Sequence, residues 1–367
     1  FLNLIFTSVV EGLQAYTART IINITGSLIF IIGFVTLHDR SDPLVLMAAL
    51  NLIMALIKVA ALGFFITSMA RQPVQLLPLQ FSVRLSRRLF RFGSKSFAQG
   101  VAGSVEGRMD TLIIGAAIGP GSVIFYSLPQ VLTAYIKTVS ETLSHAFLPA
   151  LSNLREDSEV DAVRHLTMTG SQLVLAIVTP LAIGIICLGS GFLSLWIGPE
   201  YGEKATVLIP ILSAYFFIPM LTPVVGRYFT ALNEHGYLAV VASIRAAANL
   251  TLSLALLPFL GLIGIALGSL LPEMLSRLFV LHRQLKLLNM RLRDYLRELF
   301  LPILFPAVAM GVVIVTLQSW VQLHDWGGFF LVAGSGITVY ILLMIPNMKR
   351  RYGLLTLHEE ESLRTAN

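Results

Sequence analysis

The sequence predicts an all-α, polytopic membrane protein. Three observations carry that prediction. Apolar residues make up 56% of the 367, charged residues only 13%, and the mean hydropathy is +0.79, whereas a soluble domain carries about 25% charged residues. The apolar residues fall in runs long enough to cross a bilayer, which takes roughly 20 residues. The positive charge is concentrated in the connections between those runs. A pI near 9.5 therefore reflects topology rather than affinity for nucleic acid.

Taken in order, the apolar segments lie near 1–16, 20–37, 44–69, 92–118, 122–150, 167–195, 205–231, 237–258, 260–281, 300–321 and 326–346. The chain opens Phe1-Leu2-Asn3-Leu4, already inside an apolar run and without methionine, which predicts an N-terminally truncated sequence whose first span is partial. Residues 71–91 mix Arg with Leu, Phe and Val, and residues 282–298 do the same. Each stretch suits a basic amphipathic helix on an anionic leaflet and equally a solvated connector. The first also divides the chain. The expected organisation is 1–70 as the remainder of an N-terminal helix bundle, 71–91 as a basic cytoplasmic linker and 92–281 as a six-helix bundle. A cytoplasmic connector at 282–299, two further spans at 300–346 and a cytoplasmic tail at 347–367 complete it.

Charge sets the orientation. With the 71–91 linker in the cytoplasm and the spans alternating from there, the outer side holds only Arg40 and Lys204 of the 26 Lys and Arg, and Lys58, Arg108, Lys137 and Arg245 lie inside spans. The opposite orientation would violate the positive-inside rule at nearly every connection.

Ionisable groups inside a span are costly and mark cavities or polar helix contacts. Ser96, Gln99, Gly103, Glu106 and Asp110 recur every three or four residues, which places them on one helix face, with Arg108 pointing elsewhere. Thr133, Lys137, Glu141 and His145 form a second stripe, and Arg245, Asn249 and Ser253 a third. Lys58 stands alone, more than a turn from any acidic residue on its helix. Two readings stay open for each group: lining of a water-filled cavity, or polar glue between helices. Lys137–Glu141 and Glu273–Arg277 also have the spacing of intrahelical ion pairs that neutralise themselves. Pro210, Pro219 and Pro223 crowd one span, and Pro129, Pro149, Pro180 and Pro272 occur in others. Bent or broken helices of this kind line transporter cavities or are tolerated by packing.

Absent motifs narrow the class. There is no G-x-x-x-x-G-K-[ST] phosphate loop, no H-E-x-x-H and no G-x-S-x-G, and a single cysteine, Cys187, leaves no disulfide framework and no cysteine metal site. A non-enzymatic transporter without cofactor or metal is expected, driven by an ion gradient, the membrane potential or the gradient of its own substrate.

Specific residues then resemble a family. Phe90-Arg91-Phe92-Gly93, Asp110, Leu112-Ile113-Ile114-Gly115, Gly119 and Phe125-Tyr126-Ser127 are similar to the start of the second half of the polysaccharide-repeat flippases. These belong to the superfamily of multidrug, oligosaccharidyl-lipid and polysaccharide exporters. Phe147-Leu148-Pro149-Ala150-Leu151-Ser152, Pro180-Leu181, Leu195-Trp196-Ile197-Gly198-Pro199-Glu200-Tyr201, Arg245 with Asn249, and Gly261-Leu262-Ile263-Gly264-Ile265-Ala266 continue the likeness in order. The resemblance implies two six-helix bundles around a central cavity plus two C-terminal helices, with about three N-terminal helices missing here. It implies an undecaprenyl-diphosphate-linked oligosaccharide as substrate, a multi-pass place in the bacterial cytoplasmic (inner) membrane, and a role in O-antigen, capsule or exopolysaccharide synthesis. A polysaccharide polymerase and chain-length proteins are candidate partners, besides membrane lipids.

The chemistry of such a substrate selects site residues. A diphosphate head wants Arg or Lys in a partly desolvated cavity, and Lys58, Arg108, Lys137 and Arg245 are the candidates. Gln99 and Asn249 suit sugar hydroxyls. Glu106 and Asp110 suit coupling to a proton or sodium ion. The membrane potential adds about 2.3 kcal/mol per charge per 100 mV, in favour of an anion leaving a negative interior. The rival readings are a multidrug exporter, a peptidoglycan-lipid exporter of the same superfamily, a non-transporting member of a polysaccharide assembly complex, and a membrane-embedded ligase or polymerase.

Overall fold

The computed structural model describes residues 2–12, 15–37, 42–69, 83–84, 86–87, 90, 108–147, 160–224, 235–321, 323 and 325–365. Among these the protein is all-α. The helices are α1 (Leu2–Gly12), α2 (Tyr16–Leu37), α3 (Pro43–Met69), α4 (helical residues 108–117), α5 (Pro120–His145) and α6 (Val160–Trp196). They continue as α7 (Pro199–Phe217), a 3-10 turn (Ile218–Leu221), α8 (His235–Leu260), α9 (Leu262–Leu287), α10 (Leu292–Trp320) and α11 (Trp326–Thr365).

Among the described residues, 8 helices are long and apolar enough to cross a membrane: α2, α3 and α6 to α11. Three of the expected spans fall short of that description for separate reasons. The described part of α1 is too short, most of 92–118 lies outside the described residues, and α5 carries a polar stripe. Lipid, not water, is the solvent of the outer faces. Ile21, Ile24, Leu28, Ile31 and Ile32 on α2 and Leu301, Leu304, Phe305, Val308 and Val312 on α10 are all more than 50% exposed, so each helix carries an apolar outer face of a kind that a water-soluble monomer rarely shows.

The chain divides into two compact units, Phe1–Ser94 and Lys95–Asn367. In the first, α1 and α2 pack on α3, and Val10, Leu62 and Ile66 form its small core. In the second, α6 is the organising helix and packs against α5, α7, α10 and α11. Leu175, Val178, Leu188 and Leu193 of α6 meet Ile209 of α7, Tyr295, Leu299 and Ile314 of α10, and Val332 of α11. A second cluster joins Ile113 and Ile114 of α4, Tyr126 of α5, Leu208 and Leu212 of α7, and Ile265 and Ala266 of α9.

Local sequence explains the ends and contacts that matter for the site. Proline follows glycine at Gly119-Pro120 and Gly198-Pro199, and each proline opens a helix, α5 and α7, where its missing N–H and fixed φ cost nothing. The α8–α9 hairpin is packed backbone to backbone. A methyl group at Gly264 would lie 2.6 Å from the carbonyl oxygen of Leu256, and one at Gly268 would lie 2.6 Å from the backbone nitrogen of Ser253.

Two expectations differ from the structure. Residues 282–298 are not one surface helix, because α9 runs on to Leu287 and α10 begins at Leu292, with a tight turn at Asn289 (φ 48) between them. The apolar stretch 205–231 does not continue as one helix. α7 gives way at Phe217 to a 3-10 turn that contains Pro219, since proline removes the backbone donor that an α-helix would need there.

Candidate functional site

Two polar constellations form inside the second unit. The first lines a cavity of about 430 Å3 bounded by α5, α7, the 3-10 turn, α8 and α9. Lys137, Ser140, Glu141 and Ser144 stand on the α5 wall, Tyr215 on α7, Thr222 after the 3-10 turn, Arg245 on α8, and Glu273, Ser276 and Arg277 on α9. Of the stripe read from the sequence, Lys137 and Glu141 line this cavity, joined by Ser140 and Ser144, whereas Thr133 is buried and donates to the carbonyl oxygen of Pro129.

Glu273 is the centre of that cavity's electrostatics. It is 1% exposed and accepts hydrogen bonds from both arginines, from Arg245 Nη1 at Oε2 and from Arg277 Nε at Oε1, the latter at 2.7 Å. Arg277 Nη1 also donates to Thr222 Oγ1 at 3.3 Å. The two guanidinium side chains are 19% and 22% exposed. A carboxylate this deeply buried is stable only because two charge-assisted bonds replace its hydration. Across the cavity, Lys137 Nζ lies 3.9 Å from Glu141 Oε1, with both side chains more than half exposed, a loose pair of the kind that contributes little. The walls therefore carry three cations against two carboxylates.

The second constellation is dry. Asp110 is 4% exposed, and its Oδ2 accepts hydrogen bonds from Tyr126 OH at 2.7 Å and Ser269 Oγ at 3.0 Å. Asn249 Nδ2 donates to Ser269 Oγ at 3.0 Å, and Ser253 Oγ donates to Asn249 Oδ1 at 3.3 Å. Each hydroxyl and amide in this relay points its donor towards Asp110, whose second oxygen, Oδ1, has no hydrogen-bond partner among the described residues. The relay ties α4, α5, α8 and α9 together, so it acts as a polar rivet within the second hydrophobic cluster.

The sequence-derived candidates are distributed as follows. Lys137 and Arg245 share the cavity. Asn249 and Asp110 meet in the buried relay, so Asp110 sits in a helix contact rather than on an open surface. Arg108 is exposed at the start of the described part of α4. Lys58 belongs to the first unit, where it covers Gly26 of α2: a methyl group there would lie 2.8 Å from Lys58 Cε. Gln99 and Glu106, with Ser96, lie outside the described residues. Tyr126 and Ser269 were not foreseen as relay members, nor Arg277 and Thr222 as cavity groups. Arg277 had a signal, its i,i+4 spacing from Glu273. Ser269 had none, because a serine in an apolar helix is unremarkable.

A second cavity, of about 600 Å3, lies between α5, α6, α10 and α11 and is lined by Pro180, Leu181, Met310, Ile314 and Ile337 among other residues, almost all apolar. It offers no charge chemistry, so the cation-lined cavity is the candidate site.

Comparison with known proteins bears on about half of the chain. The family model described as polysaccharide biosynthesis protein matches residues 45–206. Two Haloferax volcanii proteins are similar to part of it. One, named "Probable low-salt glycan biosynthesis flippase Agl15", is 26% identical over 191 residues, which are 51% of this chain and 40% of that protein. The other, named "Probable flippase AglR", is 25% identical over 171 residues, 46% of this chain and 36% of that protein. The matched stretches thus cover less than half the length of either relative. Both relatives are archaeal. Together with the membrane-crossing helices, these matches bear out the resemblance read from the residues: this multi-pass membrane protein is similar to the flippases of polysaccharide biosynthesis.

Proposed function

We propose that the protein is a secondary transporter that flips lipid-linked oligosaccharides from the inner to the outer leaflet of the cytoplasmic membrane by alternating access. In the finer form of this reading the carrier is undecaprenyl diphosphate and the glycan is a surface-polysaccharide repeat unit. The observation that supports it most is the cavity whose walls carry Lys137, Arg245 and Arg277 against Glu141 and Glu273, which leaves one positive charge to attract an anionic ligand. The names of two relatives support a flippase, and one of them, a probable glycan biosynthesis flippase, supports a glycan as its cargo. In this reading Arg245, Arg277 and Lys137 hold the diphosphate. Lys58 and Arg108 are proposed as separate contacts for the anionic head and Gln99 for sugar. Asn249 is proposed to act through Ser269 and Asp110. Glu106 and Asp110 are the proposed proton- or sodium-coupling groups.

The test is export in cells with the full-length protein. Arg245→Gln and Arg277→Gln should each lower surface polysaccharide while Western blots of the membrane fraction stay near wild type. Full export by the double variant at normal abundance would refute the assignment of the head group to this cavity. A parallel loss of export and abundance in both variants would mean that the arginines serve only to hold helices together.

A further inference from the structure

The proposed anion site already contains an anion. Arg245 and Arg277 both donate to Glu273, one to each carboxylate oxygen. Glu273 itself is 1% exposed, whereas the two arginine side chains stay 19% and 22% exposed. All three border the same cavity, and the guanidiniums are the more accessible groups. A phosphate oxygen presents a guanidinium with the same kind of lone-pair acceptor as a carboxylate oxygen. A diphosphate esterified at both ends carries a negative charge on each phosphate, more than the single positive charge left over among the ionised groups of the walls.

From this we propose that Glu273 is a built-in competitor for the anionic head group: it gathers the two guanidiniums when the cavity is empty, yields part of them when the head group binds, and retakes them to promote release. This rests on the reading of the cavity given above. In the empty cavity Glu273 offsets the repulsion between the two guanidiniums. With it, head-group binding must weaken bonds to a carboxylate that has little water to fall back on. A transporter needs that opposition, because a site must bind well enough to load and weakly enough to unload. Arg277 is suited to a partial exchange. Its Nε holds Glu273 at 2.7 Å while its Nη1 makes only a long bond, 3.3 Å, to Thr222 Oγ1, so that edge can turn to a phosphate before the carboxylate is released.

The experiment is calorimetric titration of the purified full-length protein with inorganic pyrophosphate. Glu273→Gln keeps the shape and one acceptor but removes the competing charge, and it should bind pyrophosphate about tenfold tighter or more, with slower dissociation. Glu273→Asp keeps the charge but is one methylene short of spanning both arginines. It should gain a smaller factor, and it provides the test if Glu273→Gln does not accumulate folded. Binding lost in Arg245→Gln and Arg277→Gln and tightened in the Glu273 variants would support the proposal. Binding lost in the arginine variants but unchanged or weakened in both Glu273 variants would overturn the competitor role and leave the anion site standing. Binding unchanged in the arginine variants would overturn the anion site and, with it, this inference.

Discussion

The relay around Asp110 makes the sharpest energetic prediction. Tyr126 is fully buried and its hydroxyl donates to Asp110 Oδ2 at 2.7 Å. Tyr126→Phe removes that donor and leaves the ring, so the packing of α5 on α4, α7 and α9 is preserved. Interhelical hydrogen bonds in membrane proteins couple by about 0.6 kcal/mol on average and about 1.7 at most. The Tyr126–Asp110 bond should fall near the upper end for two reasons. The acceptor is a carboxyl group whose other oxygen has no hydrogen-bond partner among the described residues, and the bond is cut off from water that would compete for either group. A double-mutant cycle of Tyr126→Phe and Asp110→Asn, read by denaturant-induced unfolding in detergent, should therefore give a coupling energy of about 1–1.7 kcal/mol. The same cycle between Tyr126→Phe and Ser213→Ala, a buried serine with no bond to Tyr126, provides the baseline. Coupling below about 0.5 kcal/mol, within the usual error of additivity, would refute the view that the relay is a strong polar rivet.

Three other outcomes are expected. Gly268→Leu should destabilise the α8–α9 hairpin by several kcal/mol or abolish accumulation, because the side chain would be driven into the backbone of Ser253; a variant of normal thermal stability would contradict the packing described here. Lys58→Ala in the full-length protein should reduce surface polysaccharide at near-normal abundance and Lys58→Arg should retain part of the activity, measured by polysaccharide output beside protein level; full export by Lys58→Ala would remove Lys58 from the proposed head-group contacts. Cysteine introduced at Ser86 should be labelled only after the membrane is opened, and cysteine at Asp325 should be labelled in intact cells; the reverse pattern would overturn the orientation set by charge.

The spans were legible because lipid imposes a simple code. α2 and α3, at Tyr16–Leu37 and Pro43–Met69, lie within a few residues of the apolar runs that mark them, since a helix that must satisfy every backbone group inside hydrocarbon has no alternative there. The code is silent where a helix leaves the bilayer. α6 begins at Val160, ahead of its apolar run, and α11 continues past Pro346 to Thr365. At about 1.5 Å per residue, their 37 and 40 residues exceed the roughly 30 Å of the hydrocarbon core. The extension of α6 is used. Its Arg164 lies 3.9 Å from the carboxylate of Glu298, and within the apolar run Gln172 Nε2 donates to the carbonyl oxygen of the same residue at 3.0 Å, joining α6 to α10. Polar composition identifies such segments as outside the membrane but carries no sign of whether they stay helical.

The site was legible only within single helices. Spacing placed Glu273 and Arg277 together, and the structure joins them at 2.7 Å. Read alone, that pair is self-neutralising and attracts nothing. What changes its character is Arg245, 28 residues away, which reaches the same carboxylate from α8. The fold thereby converts a neutral pair into a group with one positive charge to spare, on the wall of a cavity. Asp110 follows the same logic in reverse. A carboxylate on a polar helix face reads as cavity lining until Ser269, 159 residues on, turns out to seal it from the other side. One sequence gives the period of each helix and therefore which residues share a face. Which faces meet depends on how α8 and α9 pack, and the two glycines that let their backbones touch, Gly264 and Gly268, are what bring Asn249 onto Ser269 and Arg245 onto Glu273.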